Sequence, residues 1–317
     1  MDATSKGTKA NGVAAESNVR HSAAPDRCPL APASEAVLLI GHGTRDPMGV
    51  AEFLRLAELV RPLLLPRPMA ACFLELAEPT VGDGLERLRD RGARRITTVP
   101  VLLTAAGHAK RDIPAAVAAA LNRTEHDEVS IGNPRPMIGQ TPALDCHPRM
   151  VDLATRRYDE ALAGRAALPP ERTLLLLVGR GSSDAAAAET VRRFAALRGE
   201  RSRVGRVETC FAAVAKPSLE EMLPLVAAAG YERIVVQPHL LFRGRLFQEV
   251  REAVARFERQ ASREGSQFVT RETASGERHR TERTTEWITE WIIAEPLGPE
   301  PELAAAIVDL VRETERR

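Results

Sequence analysis

Two stretches decide how this chain is read: VLLIGHGTRD at Val37–Asp46 and LLLVGRGSSD at Leu175–Asp184. Each is a short apolar run that ends on glycine and gives way to a polar turn, the pattern of a buried parallel strand feeding a loop. They lie 138 residues apart. The same offset relates CFLELAEPT (Cys72–Thr80) to CFAAVAKPS (Cys210–Ser218), GARRI (Gly92–Ile96) to GYERI (Gly230–Ile234), and Pro100 to Pro238. Four anchors at one offset make the chain two copies of one domain, at 35–165 and 170–317, a period far too long for a solenoid. Fusion of a former homodimer leaves this pattern, with an approximate two-fold axis between the halves.

Each copy reads as alternating strand and helix. In the first, Val37–Ile40, Ala70–Leu74, Ile96–Val101 and Val129–Gly132 are expected as strands. Helices are expected over Pro47–Leu64, from Pro79 at a first helical position to near Arg91, over Ile113–Leu121, and over Met150–Leu162. Leu174–Val178 is the strand equivalent to Val37–Ile40. A βαβαβαβα order implies an α/β domain with a four-stranded parallel sheet and helices on both faces. Residues 1–34 are small and polar, the composition of a disordered tail. Residues 262–286 read as a solvated insertion of about twenty residues, when Pro136–Gly139 is aligned with Pro296–Gly298. The following Trp287–Ile293 reads either as the fourth strand or as an amphipathic helical turn.

Composition narrows the class. Over 317 residues, 44% are hydrophobic and 27% charged, the mix of a globular chain. Lys+Arg number 44 and Asp+Glu 43, so no global basic field points to nucleic acid or to a membrane surface. No apolar run approaches a transmembrane length and the N-terminus has no apolar signal core, so the expected location is the cytoplasm. Cys28, Cys72, Cys146 and Cys210 are far apart, which excludes a CxxC zinc ribbon. GHGTRD departs from a dinucleotide fingerprint at Asp46, and P-loop, HExxH and GxSxG motifs are absent.

Three polar residues of the first copy stand directly after strands. His42 follows the first, Glu75 the second, and His108 lies in the loop after the third. Ligands of open α/β sheets bind outside the carboxyl ends of the strands, so residues distant in sequence converge there. The second copy carries Arg180 for His42, Ala213 for Glu75 and, allowing one deletion, Arg245 for His108, while the surrounding glycines and prolines persist. A purely structural role would be kept in both copies. Joint replacement indicates one site, needed once per chain. His239, after Pro238 in the second copy's third strand, is a further candidate to face the cleft.

IGHGTRDP, FLELAEPT and PVLLTAAGHAKRDIP, in this order and spacing, resemble the class II chelatases of the sirohydrochlorin cobaltochelatase and ferrochelatase type. FAAVAKPSLEEML and VVQPHLLFRGRL resemble the carboxyl half of the long two-domain bacterial form. The resemblance runs from Val37 to the end, apart from the insertion. It implies two tandem flavodoxin-like lobes with the site in the cleft between them. It also implies insertion of Co2+, Fe2+ or Ni2+, as substrate and without an organic cofactor, into a carboxylate-rich tetrapyrrole for cobalamin or siroheme synthesis.

On that basis His42 and His108 are metal-presenting ligands or proton acceptors, and Glu75 is a third ligand or the base. Arg45, Lys110, Arg111, Arg180, Arg243 and Arg245 lie near strand ends and are candidates to meet the macrocycle carboxylates. Because the second copy substitutes for a second chain, a monomer with an internal pseudo-dimer is expected. The alternatives are a non-catalytic tetrapyrrole or metal carrier on the same fold, and a generic pair of flavodoxin-like binding domains.

Overall fold

The computed structural model of the chain describes residues 35–105, 107–125, 135–263 and 289–316. The tail, nearly all of the insertion, and the expected strand at Val129–Gly132 lie outside the described residues. Residues 32–317 form one compact unit.

The first half contains β1 (Glu35–Gly41), α1 (Pro47–Val60), β2 (Met69–Phe73), α2 (Val81–Asp90), β3 (Arg95–Pro100), α3 (Ile113–Glu125), β4 (Met137–Gln140) and α4 (Pro148–Leu162). The second half repeats it as β5 (Thr173–Gly179), α5 (Ala185–Arg201), β6 (Arg206–Phe211), α6 (Leu219–Ala227), β7 (Arg233–His239), α7 (Arg245–Arg263), β8 (Glu290–Ile293) and α8 (Pro301–Glu315). Both sheets are four-stranded and parallel, in the orders β2-β1-β3-β4 and β6-β5-β7-β8. The chain moves outward from β1 to β2 and then returns past it to β3, so successive loops diverge to opposite faces between β1 and β3. That divergence opens a crevice at the strand ends, and its twin lies between β5 and β7.

Period-two alternation explains how one strand serves two layers. Val37 and Leu39 of β1 join the core on the inner face, with Phe53 and Leu56 of α1. Ala36, Leu38 and Ile40 join the outer core, with Leu85 and Leu88 of α2 and Val117 and Leu121 of α3. In the second half, Leu174 and Leu176 pack outward with Leu223 and Val254.

The inner face holds an arrangement the sequence does not announce. Helix α8, from the end of the chain, packs on α1 and β3 of the first half. Helix α4, from the first half, packs on α5, β7 and β8 of the second. The closing helices are therefore exchanged. Arg67 pairs with Glu315 at 2.5 Å, and Gln237 donates from Nε2 to the Ala154 carbonyl at 2.6 Å. Arg198 of α5 is fully buried at this junction, donating from Nη1 to the Thr155 hydroxyl at 3.0 Å. A linker at 165–170 separates the two sheets but not the helices that cover them.

Four expectations need correction. The fourth strand is Met137–Gln140. β4 and β8 pair with equivalent residues, Arg95 with Met137 and Arg233 with Glu290. The offset is therefore 153 at the fourth strand against 138 earlier, and the net insertion is 15 residues rather than twenty. Glu290–Ile293 is a strand, which resolves the reading of the Trp-containing segment. Helix α2 starts after Thr80, not at Pro79. The Thr80 hydroxyl accepts from the Asp83 amide at 3.3 Å, and the Asp83 carboxylate accepts from the Thr80 amide at 2.7 Å. Ser218 and Glu221 repeat this capping box in α6. Finally, His108 is not in an open loop: it begins a π-helical turn, His108–Asp112, that leads into α3. Such turns recur at functional sites.

Candidate metal and macrocycle site

The carboxyl ends of the strands of both halves border one open cavity of about 830 Å³. Its lining combines Gly41–Thr44, Phe73 and Leu76 of the first half with Arg180–Ser183, Phe211, Ala213 and Val214 of the second. The loop after β7, Leu240–Arg245, closes one side.

A backbone contact sets the geometry on the first half's wall. The Leu74 amide donates to the Gly41 carbonyl at 2.8 Å and the Glu75 amide to the His42 carbonyl at 3.1 Å, extending the β1–β2 ladder past the strand ends. Gly43 has φ +94° and lies directly against the Glu75 backbone. This approach brings His42 Nε2 to 3.5 Å from Glu75 Oε1. His42 Nδ1 lies 3.1 Å from the Gly43 carbonyl oxygen, an atom that can only accept. With the proton of a neutral ring on Nδ1, the Nε2 lone pair is on the carboxylate side. Two acceptors 3.5 Å apart call for a cation between them. Ligand bonds of about 2.0–2.1 Å at a tetrahedral angle separate two donors by about 3.4 Å. A first-row divalent ion fits that gap, and so does a proton.

The second half builds the same backbone without the donors. The Ala212 and Ala213 amides donate to the Gly179 and Arg180 carbonyls at 2.9 and 3.0 Å, and Gly181 (φ +89°) abuts Ala213. Of the arginines and lysine singled out from the sequence, Arg180, Arg243 and Arg245 line the cavity. Arg243 pairs with Glu295 at 2.9 Å, and Arg245 with Glu249 at 2.7 Å. Arg45 is exposed, outside the lining. Lys110 also lies outside it and reaches Asp184 of the other half at 3.8 Å.

His108 begins the π-helical turn, which several contacts hold in place. The Ala105 amide donates to Asp145 Oδ1 at 3.1 Å, Gln140 Nε2 donates to the Ala109 carbonyl at 2.8 Å, and Lys110 bridges to Asp184. Burial pushes the Asp145 carboxyl above its ordinary range, partly offset by the Ala105 amide. Nothing in the local sequence marks Asp145 or Gln140 for this positioning role; only the folded register brings them to the turn. Among the described residues no three His, Cys, Asp or Glu side chains are grouped to hold a metal ion. Cys72 and Cys210, at equivalent positions, are buried, and burial pushes both thiols up to about 12. They are packing residues, not thiolate ligands.

His239 ends β7, lines the cavity and is 3% exposed. Its ring lies 4.1 Å from that of Phe194, and neither ring nitrogen has a hydrogen-bond partner. Burial drives its pKa down to about 4. The unfolded chain, with an ordinary histidine near 6.5, binds the proton more tightly. This stabilising contribution is therefore present above pH 6.5 and is lost as pH falls towards 4, by up to about 3 kcal/mol. Urea unfolding of His239→Leu should show a shallower fall in stability between pH 6.5 and 4 than the parent protein. Parallel profiles would mean that other groups govern that window.

The CbiX family model matches this chain twice, over residues 36–161 and 174–314. The sirohydrochlorin ferrochelatase of Priestia megaterium is 34% identical over 74% of this chain and 82% of its own length. The sirohydrochlorin cobaltochelatase of the same organism is 29% identical, over 71% and 70%. Among solved structures, SirB from Bacillus subtilis with Fe3+ superposes with a TM-score of 0.68 at 25% identity, covering 89% of this chain and 95% of that one. SirB from Bacillus subtilis subspecies spizizenii in complex with cobalt gives 0.66, also at 25%.

Proposed function

This chain belongs to the CbiX family, and from that premise we propose that it is a sirohydrochlorin chelatase, inserting a divalent metal, Co2+ or Fe2+, into the macrocycle. Metal insertion exchanges one M2+ for two pyrrolic protons, so the site must present the ion and accept protons in turn. The observation that carries the reading is the His42–Glu75 pair at 3.5 Å beside a cleft of about 830 Å³, paired in the second half with Arg180 and Ala213.

In this reading the half at 35–165 carries the metal chemistry. His42 Nε2 and a Glu75 oxygen receive the desolvated ion, and His108, on its tethered turn, supplies a third donor. Few and weak protein ligands suit the task, because a closed cage would not release the ion to the ring nitrogens. The carboxylate and imidazoles then take up the pyrrolic protons. The half at 170–317 acts on the macrocycle: Arg180, Arg243 and Arg245 meet its carboxylates, and Arg45 and Lys110 of the first half, outside the lining, are further candidates for them. No organic cofactor is needed for this exchange. The second half takes the place of a partner subunit, so the working form is a monomer. Among the described residues no helix is long and apolar enough to cross a membrane, and the reaction is assigned to the cytoplasm.

An absorbance assay with sirohydrochlorin against Co2+, Fe2+ and Ni2+ tests the reading. Enzyme-dependent conversion at catalytic protein concentration is expected for Co2+ or Fe2+. Binding of macrocycle or metal without turnover would instead make the protein a carrier.

A further inference from the structure

Leu76 and Val214 stand at equivalent positions of the two halves, and both are conformationally out of place. Their φ angles are +63° and +58°, a region that leucine and β-branched valine rarely enter. At Val214 the Ala215 amide bonds back to the Ala213 carbonyl at 2.6 Å, a γ-turn of the strained kind with positive φ at its centre. Strain of this sort normally persists because packing around the side chain enforces it. Here the side chains are 50% and 75% exposed, among the most exposed large apolar groups described. Had the fold needed only the backbone turn, glycine or asparagine would serve; this chain uses glycine at φ +94° and +89° at the adjoining Gly43 and Gly181.

Duplication sharpens the point. The residues immediately before, Glu75 and Ala213, have diverged completely in chemistry, yet each half keeps a large aliphatic side chain in the strained position. Both side chains line the same cavity, one from each wall. None of the described residues covers them, and the cavity they line is where a bound molecule would meet them.

Resting on the functional reading above, we infer that Leu76 and Val214 are the apolar jaws that grip the flat face of the tetrapyrrole, one from each half, and set specificity for a macrocycle of this shape. A tetrapyrrole has a broad apolar ring face and a polar rim, and aliphatic contact with that face complements arginine contact with the rim carboxylates. Contact at Leu76 also places the ring beside Glu75 and His42, the groups that present the metal. In the second half, contact at Val214 places it beside Arg180.

The test separates contact from folding. Leu76→Asn and Val214→Asn keep a side chain that tolerates positive φ but remove the aliphatic surface; Leu76→Gly and Val214→Gly relieve the strain outright. Binding of metal-free sirohydrochlorin, followed by fluorescence titration, is the primary readout, with thermal unfolding alongside. Each single variant should weaken macrocycle Kd about tenfold or more, with melting temperature unchanged or raised, and Val214→Ile should restore tight binding. KM for the macrocycle should rise more than kcat falls. Parent protein that binds sirohydrochlorin, with all four variants binding equally well, would overturn the jaws and leave the functional reading standing. Parent protein that does not bind it would overturn both.

Discussion

Gly43→Ala will unfold or severely destabilise the protein, because two costs fall on one methyl group. The residue sits at φ +94°, where any Cβ costs about 1–2 kcal/mol. The methyl would also lie 2.9 Å from the Glu75 carbonyl carbon, closer still to its oxygen, and only 3.4 Å from Phe73 Cβ. Neither neighbour can yield, since the Glu75 amide is tied to the His42 carbonyl and Phe73 is in the core. The expected loss is at least about 3 kcal/mol, the class of mutation that combines overpacking with backbone strain. At this chain length that lowers the melting temperature by roughly 5 °C or more. Gly181→Ala should behave alike, facing the Ala213 backbone. Gly164→Ala is the control: φ is +76° but the space around it is open, so only the conformational cost of about 1 kcal/mol applies. Melting of all three variants by calorimetry checks this. A Gly43→Ala protein within 3 °C of the parent would mean that the β1–β2 loop contact is soft, and that it does not fix the His42–Glu75 distance.

The same contact shows what a sequence can and cannot disclose. The strand–glycine–polar pattern around Gly41 and Gly179 is local chemistry repeated at a fixed offset, so the duplicated α/β fold was readable from it. Strand-end placement of His42, Glu75 and His108 followed, because parallel sheets put such residues at one edge. The exchange of α4 and α8 was not readable. An amphipathic helix declares that one face is buried, not which sheet covers it, and Arg198 becomes a buried junction residue only once both halves are packed. The fourth strand was misplaced for a related reason. Met137–Gln140 is short and largely exposed on both faces, so it lacks alternation, whereas Val129–Gly132 looked more strand-like. The positive φ at Leu76 and Val214 left no composition signal at all, since the sequence shows ordinary aliphatic residues where glycine would have marked a turn.

Kinetic asymmetry between the halves is the largest functional effect expected. His42→Ala removes a donor that faces Glu75 at 3.5 Å, and His108→Ala removes one carried on the tethered π-helical turn. Each should lower kcat for metal insertion by about 10²-fold or more, the usual worth of a positioned proton acceptor or ligand. Macrocycle affinity should change little, and melting temperature should stay near that of the parent, because His42 lies outside the hydrophobic core and alanine at 108 is a good helix former that leaves the backbone of the turn intact. Glu75→Gln keeps shape but removes the charge that the proposed mechanism uses to balance M2+, so it should cost kcat more than KM. Arg180→Ala acts on the other wall. It should weaken macrocycle binding by about 1.5–3 kcal/mol for a lost charged hydrogen bond, which is ten- to about a hundredfold in Kd, while metal binding is retained. The measurement is a full two-substrate analysis, varying sirohydrochlorin and metal independently for each variant, with calorimetric Co2+ titration of the free proteins. Unchanged turnover in His42→Ala and His108→Ala, or loss of Co2+ binding in Arg180→Ala, would break the division between a metal half and a carboxylate half. The division is physically reasonable because one imidazole-to-guanidinium exchange converts a lone-pair donor into an obligate cation. A wall that presents guanidinium repels a divalent ion and attracts carboxylates, so after duplication each half gains by specialising in the charge the other cannot hold.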